Sequence, residues 1–287
     1  MWIPGQSALL GSEDHYPEEA PVRAVEVDGF WIHRHPVTNA EFAAFVAATG
    51  YRTVAERPLN PADYPGAPAA NLVPGSMVFR RTSGPVDLRH LSQWWTWTPG
   101  ASWQHPLGAG SSIAQRADHP VVHVAYEDAE AYAAWAGLSL PTEAQWETAA
   151  RGGLPHAVYT WGDEPERPGR RLANYWHGEF PWRPDPGYGR TTPVGDFPPN
   201  GYGLSDMAGN VWEWTRDWYA GTREGDPCCE AGSYDPAQPQ FAVPRKVIKG
   251  GSFLCADSYC MRYRPAARRP QMVDTGMSHL GFRCVSG

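Results

Sequence analysis

The sequence predicts an α+β fold, rich in loops and low in regular secondary structure. Three observations carry this. Glycine and proline are abundant, at 30 and 29 of 287 residues, just under the share that marks disorder. Fourteen tryptophans need a packed interior, so the chain must order around them. Helix and strand periodicities both occur, but in short runs separated by turn residues. A chain of this length buries a sizeable core without staples.

Taken in order, Trp2-Ile-Pro-Gly reads as an entry strand and residues 11–19 as an acidic loop. Val22 to Ile32 alternates in part and breaks at an Asp28-Gly29 turn. Thr38-Asn39 caps a helix whose apolar face is Phe42, Phe45, Val46 and Thr49, and Gly50 ends it. Residues 58–110 are irregular and rich in tryptophan; Trp94, Trp95, Trp97 and Trp103 either line a peptide groove or pack a core. His119 and His123 flank Pro120 and two valines, a strand or turn, and read as structural, as do His33 and His35. Tyr126 to Ala136 reads as a helix with Ala129, Tyr132, Ala133 and Trp135 inward and Gly137 at its end. Thr142 and Gln145 form a capping box that opens a helix through Trp146 to Arg151, stopped by Gly152-Gly153.

Chemistry concentrates in two stretches. Asp206 to Glu213 combines carboxylates, an amide and glycine in turn-rich sequence; it supplies either oxygen ligands for Ca²⁺ or turn caps. Lys249 to Arg264 holds Cys255 and Cys260, with Arg262, Arg264 and Arg268 close behind. Positive charge favours thiolate, which binds soft metals such as Cu(I). The cysteines are five apart, so they share no face of a helix or strand and meet only across a turn, for which Asp257-Ser258 is suited. Spacing alone leaves open a metal pair, a disulfide or two inert buried thiols. Cys228-Cys229 is a vicinal pair, strained against bridging to itself and read as free or tied to another element.

Other classes are excluded. A net charge of −7 argues against nucleic acid. No apolar run reaches membrane-spanning length. No signal peptide is visible and the cysteine count is odd, so a cytoplasmic setting is expected. No Gly-x-Gly-x-x-Gly motif supplies a dinucleotide cofactor.

Gly250-Gly-Ser-Phe-Leu-Cys255-Ala-Asp-Ser-Tyr-Cys260-Met-Arg-Tyr-Arg-Pro-Ala-Ala-Arg268, followed by His279-Leu-Gly-Phe-Arg-Cys284, closely resembles the catalytic segment of aerobic formylglycine-generating enzymes, the sulfatase-modifying factor family. Residues 125–153 and 196–218 continue the resemblance, which runs from Trp2 to Val285. It implies one domain over residues 1–287 with the formylglycine-generating-enzyme, C-type-lectin-like fold. It implies a copper-dependent oxidase that uses O₂ to convert the cysteine of Cys-x-Pro-x-Arg in an unfolded sulfatase polypeptide to Cα-formylglycine. Cys255 and Cys260 match the family's copper-binding, catalytic cysteines, Ser252 and Tyr259 its active-site serine and tyrosine, and Trp212 a pocket residue. A structural calcium is implied at the side chains of Asp206 and Glu213 and the carbonyls of Gly209 and Val211. A second maps to Asn174, the carbonyls of Tyr175 and Tyr188, and Asp185 in place of a carboxylate that the family pattern puts at Pro186. Cys284 matches a disulfide cysteine of secreted relatives, but the partner position is Ala133, so it reads as structural. The expected state is a monomer. The rival readings are a non-catalytic peptide-binding paralogue and an iron-dependent sulfoxide synthase, which needs a helical domain and a histidine cluster that this chain lacks.

Overall fold

The computed structural model describes residues 1–64, 66–69, 72–167, 169–221, 230–239 and 242–287. The vicinal pair Cys228-Cys229 lies outside them. The first strands are β1 (Trp2–Ile3), β2 (Gln6–Leu10), β3 (Arg23–Val27) and β4 (Phe30–Ile32). After helix α1 (Asn39–Thr49) come β5 (Gly75–Phe79) and β6 (Trp95–Pro99), then helices α2 (Tyr126–Trp135) and α3 (Glu143–Ala150). The remainder is β7 (Gly178–Glu179), β8 (Arg183–Pro184), β9 (Trp212–Trp218), β10 (Arg245–Lys249), β11 (Arg268–Met272), β12 (Leu280–Gly281) and β13 (Val285–Ser286).

The Asp28-Gly29 break sends β3 and β4 to different partners. β3 pairs with β2, whereas β4 lies between β1 and β13 and so ties the two ends of the chain together. Residues 58–110 are less irregular than the sequence suggests, because β5 and β6 pair antiparallel over five residues each. The alternation there is Thr against Trp rather than polar against aliphatic, which hides the strand signal.

The helices follow their caps. Thr38 Oγ1 accepts from Glu41 N while Glu41 accepts from Thr38 N, and Gly50 closes α1 at φ 68°. Thr142 and Gln145 do the same for α3. Phe42 and Phe45 of α1 meet Tyr132 of α2, Trp103 and Phe282 in one aromatic core. Two expected core residues are solvent-facing. Thr49 is exposed and turns its hydroxyl back to the Phe45 carbonyl. Trp135 is 45% exposed, with only one side of its ring against Phe45 and Tyr132. It sits at the last turn of α2, beyond the stripe defined by Ala129, Tyr132 and Ala133.

The sheet that positions the site has the order β11-β10-β9-β12, with β12 parallel to β9 and the other pairs antiparallel. Residues 250–267 are therefore the connection between two adjacent strands. Its ends are clamped. Lys249 and Arg268 face each other in the ladder, and both are fully buried against Glu143 of α3, Arg268 at 2.9 Å and Lys249 at 3.4 Å. Lys249 also reaches Glu147 at 3.0 Å, and Arg264 pairs with the buried Glu19 at 2.5 Å. The acidic loop of residues 11–19 thus closes onto the cysteine segment.

Candidate active site

Residues 250–267 carry no regular structure, and their path is fixed by glycine and by backbone bonds. Gly250 and Gly251 have φ of 94° and 71°, which a Cβ would strain, and a Cβ on Gly251 would lie 2.8 Å from the Arg262 carbonyl. Cys255 N donates to Ser252 O, and Cys260 N donates to Ala256 O, folding the segment through a turn at Asp257-Ser258. The expected turn is present, and it brings Cys255 Sγ and Cys260 Sγ to 3.4 Å. Both cysteines are free and buried.

The two sulfurs line an open cavity of about 340 Å³. Its walls are apolar and aromatic, including Trp94, Trp95, Phe180, Trp212 and Leu254. Tyr259 stacks on Phe180 with ring centres 5.0 Å apart and meets Trp94 edge-on at 4.9 Å. Ser252 Oγ lies 3.0 Å from His279 Nδ1, and the His279 ring packs against Trp95. Ser252, Tyr259 and Trp212 are thus brought into one cavity with both cysteines. The tryptophan-rich stretch divides: Trp94 and Trp95 face the cavity, Trp103 packs the core, and Trp97 lines a separate pocket.

The environment separates the two thiols. The hydrogen bond from Cys255, then the guanidinium groups of Arg269 and Arg262, pull Cys260 down to about 6 against the effect of burial. Burial pushes Cys255 well above the usual thiol value. The two shifts run in opposite directions, so of the two sulfurs Cys260 gives up its proton the more readily and Cys255 keeps its own. Arg262 Nη1 is 3.8 Å from Cys260 Sγ and is held by Glu18 at 2.6 Å. Arg264 and Arg268, which also follow the cysteines in sequence, do not reach the sulfurs; both are spent on buried carboxylates.

A model of the sulfatase-modifying factor enzyme 1-like domain matches residues 1–287. The chain is 56% identical to the formylglycine-generating enzyme of Mycobacterium tuberculosis, across 99% of this chain and 96% of that protein. It is 47% identical to that of Thermomonospora curvata, across 99% and 92%. The chain belongs to the sulfatase-modifying factor family of formylglycine-generating enzymes. The solved structure of PvdO from Pseudomonas aeruginosa aligns at a TM-score of 0.64 over 99% of this chain and 92% of that one; at 23% identity this bears on the fold alone.

For a member of this family, the donor set at the cysteines fits a soft monovalent ion: two free sulfurs 3.4 Å apart, facing a cavity, with the guanidinium of Arg262 beside Cys260. The calcium sets fit less evenly. Among the described residues, no cluster of three or more His, Cys, Asp or Glu forms a metal site. Glu213 is neutralised by Arg283, whose Nε and Nη2 lie 2.7 and 2.8 Å from its oxygens, and also accepts a hydrogen bond from Trp146 Nε1 at 2.7 Å. A calcium ion at the first set would therefore rest on Asp206 and on the carbonyls of Gly209 and Val211. Asp206 Oδ2 accepts from Gly195 N and Oδ1 from Asn210 Nδ2, and burial raises its carboxyl. In the second set, Asn174 Oδ1 is buried without a hydrogen-bond partner, an oxygen suited to a cation. Asp185, however, is paired with Arg171 at 2.8 Å, so it is not a free carboxylate.

Sequence reasoning missed Arg269 and Phe180. Arg269 is the charged residue in the cavity lining. Alternation along β11 was the available signal, since neighbours in a strand point to opposite faces: Arg268 inward to Glu143, Arg269 to the cavity. Phe180 gives no local signal; it arrives from between β7 and β8. Cys284 is fully buried, free and pushed up to about 12 by burial, an inert thiol.

Proposed function

We propose that this chain oxidises the cysteine of a Cys-x-Pro-x-Arg motif in a sulfatase polypeptide to Cα-formylglycine, with O₂ as oxidant and Cu(I) held by Cys255 and Cys260. The observation that carries this reading is the sulfur pair, 3.4 Å apart, facing an open aromatic cavity that can take an extended peptide. Bound there, copper supplies the electron transfer to O₂ that protein side chains lack. The chain's own residues do the rest. Arg269 and Arg262 add positive charge that favours the thiolate of Cys260. Trp94, Trp95, Phe180 and Tyr259 exclude bulk water and hold the substrate's Cβ–S unit near the sulfurs. Ser252, fixed by neutral His279, offers a hydroxyl at the cavity wall. The substrate's CH₂–SH loses two protons and two electrons to O₂, which leaves as H₂O₂ or, with two further electrons and protons from two molecules of an added thiol, as two waters; water then replaces sulfur in the resulting thioaldehyde and H₂S leaves. Structural calcium is part of the same proposal, at Asn174 with the carbonyls of Tyr175 and Tyr188 beside Asp185, and at Asp206 with the carbonyls of Gly209 and Val211 beside Glu213. The protein is proposed to act as a cytoplasmic monomer.

The test mixes purified protein, one equivalent of Cu(I), O₂ and a Cys-x-Pro-x-Arg peptide, and reads the aldehyde by mass. Cys255→Ser and Cys260→Ser should each abolish the product. Full turnover in either variant, or in rigorously metal-free protein, would end the proposal.

A further inference from the structure

A second cavity, about 300 Å³, adjoins the first. Phe79 lines it, and the Phe79 ring centre is 6.1 Å from Trp95 and 6.4 Å from Trp94, both on the wall of the cysteine cavity. Consecutive residues face the two spaces: Phe253 and Ser278 the second, Leu254 and His279 the first. One layer of side chains divides them.

The second cavity has a charge pattern at odds with the rest of the chain. The protein carries a net charge of −7, yet Arg80, Arg81, Arg116 and Arg190 converge here and no carboxylate is among the lining residues. Among the described residues, none of the four forms an ion pair. Arg80 reaches only Thr98 Oγ1 and the Leu107 carbonyl. Arg116 is half-buried, and burial together with Arg190 holds it below the usual guanidinium value. The backbone under two of them is fixed, since the carbonyls of Arg116 and Arg190 accept from Asn39 and Asn174 at 2.8 and 3.0 Å. Like charges collected around an apolar floor, without a counter-ion, complement an anion carried on a carbon chain.

We propose that this arginine-lined cavity is a subsite for an acidic side chain of the substrate polypeptide, a few residues away from the cysteine that is oxidised. This rests on the function proposed above. An extended chain advances about 3.3 Å per residue, so a short flanking stretch spans the dividing wall. The occupant is polypeptide because the cavity lies one layer of side chains away from the space where the substrate cysteine must sit.

The test is equilibrium binding by fluorescence anisotropy with labelled Cys-x-Pro-x-Arg peptides. Each carries one Glu at a scanned position on either side of the core, and each is compared with its Gln twin. One position should show about tenfold tighter binding for Glu, the range of a charge-assisted contact. In Arg81→Gln/Arg190→Gln, two exposed positions whose change spares the core, that ratio should fall to about one. The absence of any Glu preference, or its persistence in the double variant, overturns the subsite. Inorganic phosphate that binds with the same arginine dependence while no Glu position does so also overturns it, in favour of a free-anion site. Binding is read without turnover. A copper-loaded protein that makes no aldehyde from any peptide therefore contradicts the oxidase reading separately.

Discussion

Glu213 and Arg283 show how single residues hold this molecule together. Both side chains are fully buried, and the pair is bonded through two nitrogens and two oxygens. Removing one partner strands a charge in the core. Arg283→Met should cost about 3–5 kcal/mol, read as a lower urea midpoint; a loss under about 1 kcal/mol would mean that the pair is not desolvated as the structure has it. His123 makes a second case. Its ring lies between Ser76 Oγ and the Pro106 carbonyl, and burial holds it down to about 4 from an ordinary 6.5. The unfolded chain thus takes up a proton near pH 6.5 that the folded chain refuses until about 4. The stability that this neutral ring contributes is complete above pH 6.5 and is lost as pH falls towards 4, at up to about 1.4 kcal/mol per unit. Asp128, raised to about 6 by burial, works in the opposite sense. The diagnostic is therefore a comparison: His123→Gln should flatten the acid loss in urea midpoints between pH 6.5 and 4, and identical slopes would contradict it. At this scale the sequence was legible where residue type is rare. Two cysteines near a cluster of arginines point to themselves. Which arginine serves the sulfurs is set by strand alternation and by buried carboxylates far away in sequence, such as Glu19 and Glu143 for Arg264 and Arg268.

The decisive element is the connection from β10 to β11. Its ends are ladder neighbours clamped on α3, and its entry turns on two glycines with positive φ. Gly251→Ala places a methyl 2.8 Å from the Arg262 carbonyl and 2.9 Å from Tyr263 N, both backbone atoms that cannot swing away. The strand-to-turn path must shift, carrying Ser252 and the cysteines with it. The expected result is a destabilisation of about 1–3 kcal/mol together with weakened Cu(I) binding. A variant with unchanged Cu(I) affinity would show that the glycine pair does not set the sulfur geometry. Helices α1 and α3 were readable from the sequence because their caps are local, a side chain and a backbone N–H three residues apart. Strands β5 and β6 were not, since the Trp and Thr residues of β6 owe their places to β5 across the pair and to the cavity wall.

For the whole molecule, the chain termini share a sheet, and the Asp206–Glu213 block is stitched to the cysteine segment. Gly209 N donates to Gly250 O, Phe253 N to Asn210 O, and Trp176 N to Cys255 O. A cation near Asn174 or Asp206 would brace that seam. If calcium binds there, millimolar Ca²⁺ should raise the melting temperature, and Asn174→Leu should remove most of the shift; equal shifts in both proteins would count against Asn174. Among the described residues, no helix is long and apolar enough to cross a membrane. The overall class was visible in the tryptophan, glycine and proline content, whereas the strand order, with β12 parallel to β9 beside three antiparallel strands, depends on contacts that no local pattern encodes. The most direct measurement is Cu(I) competition against a chromophoric chelator for the native protein and the two cysteine variants. One tightly held equivalent should bind the native chain and be lost in both Cys255→Ser and Cys260→Ser; undiminished affinity in either variant would contradict a site built on the two sulfurs.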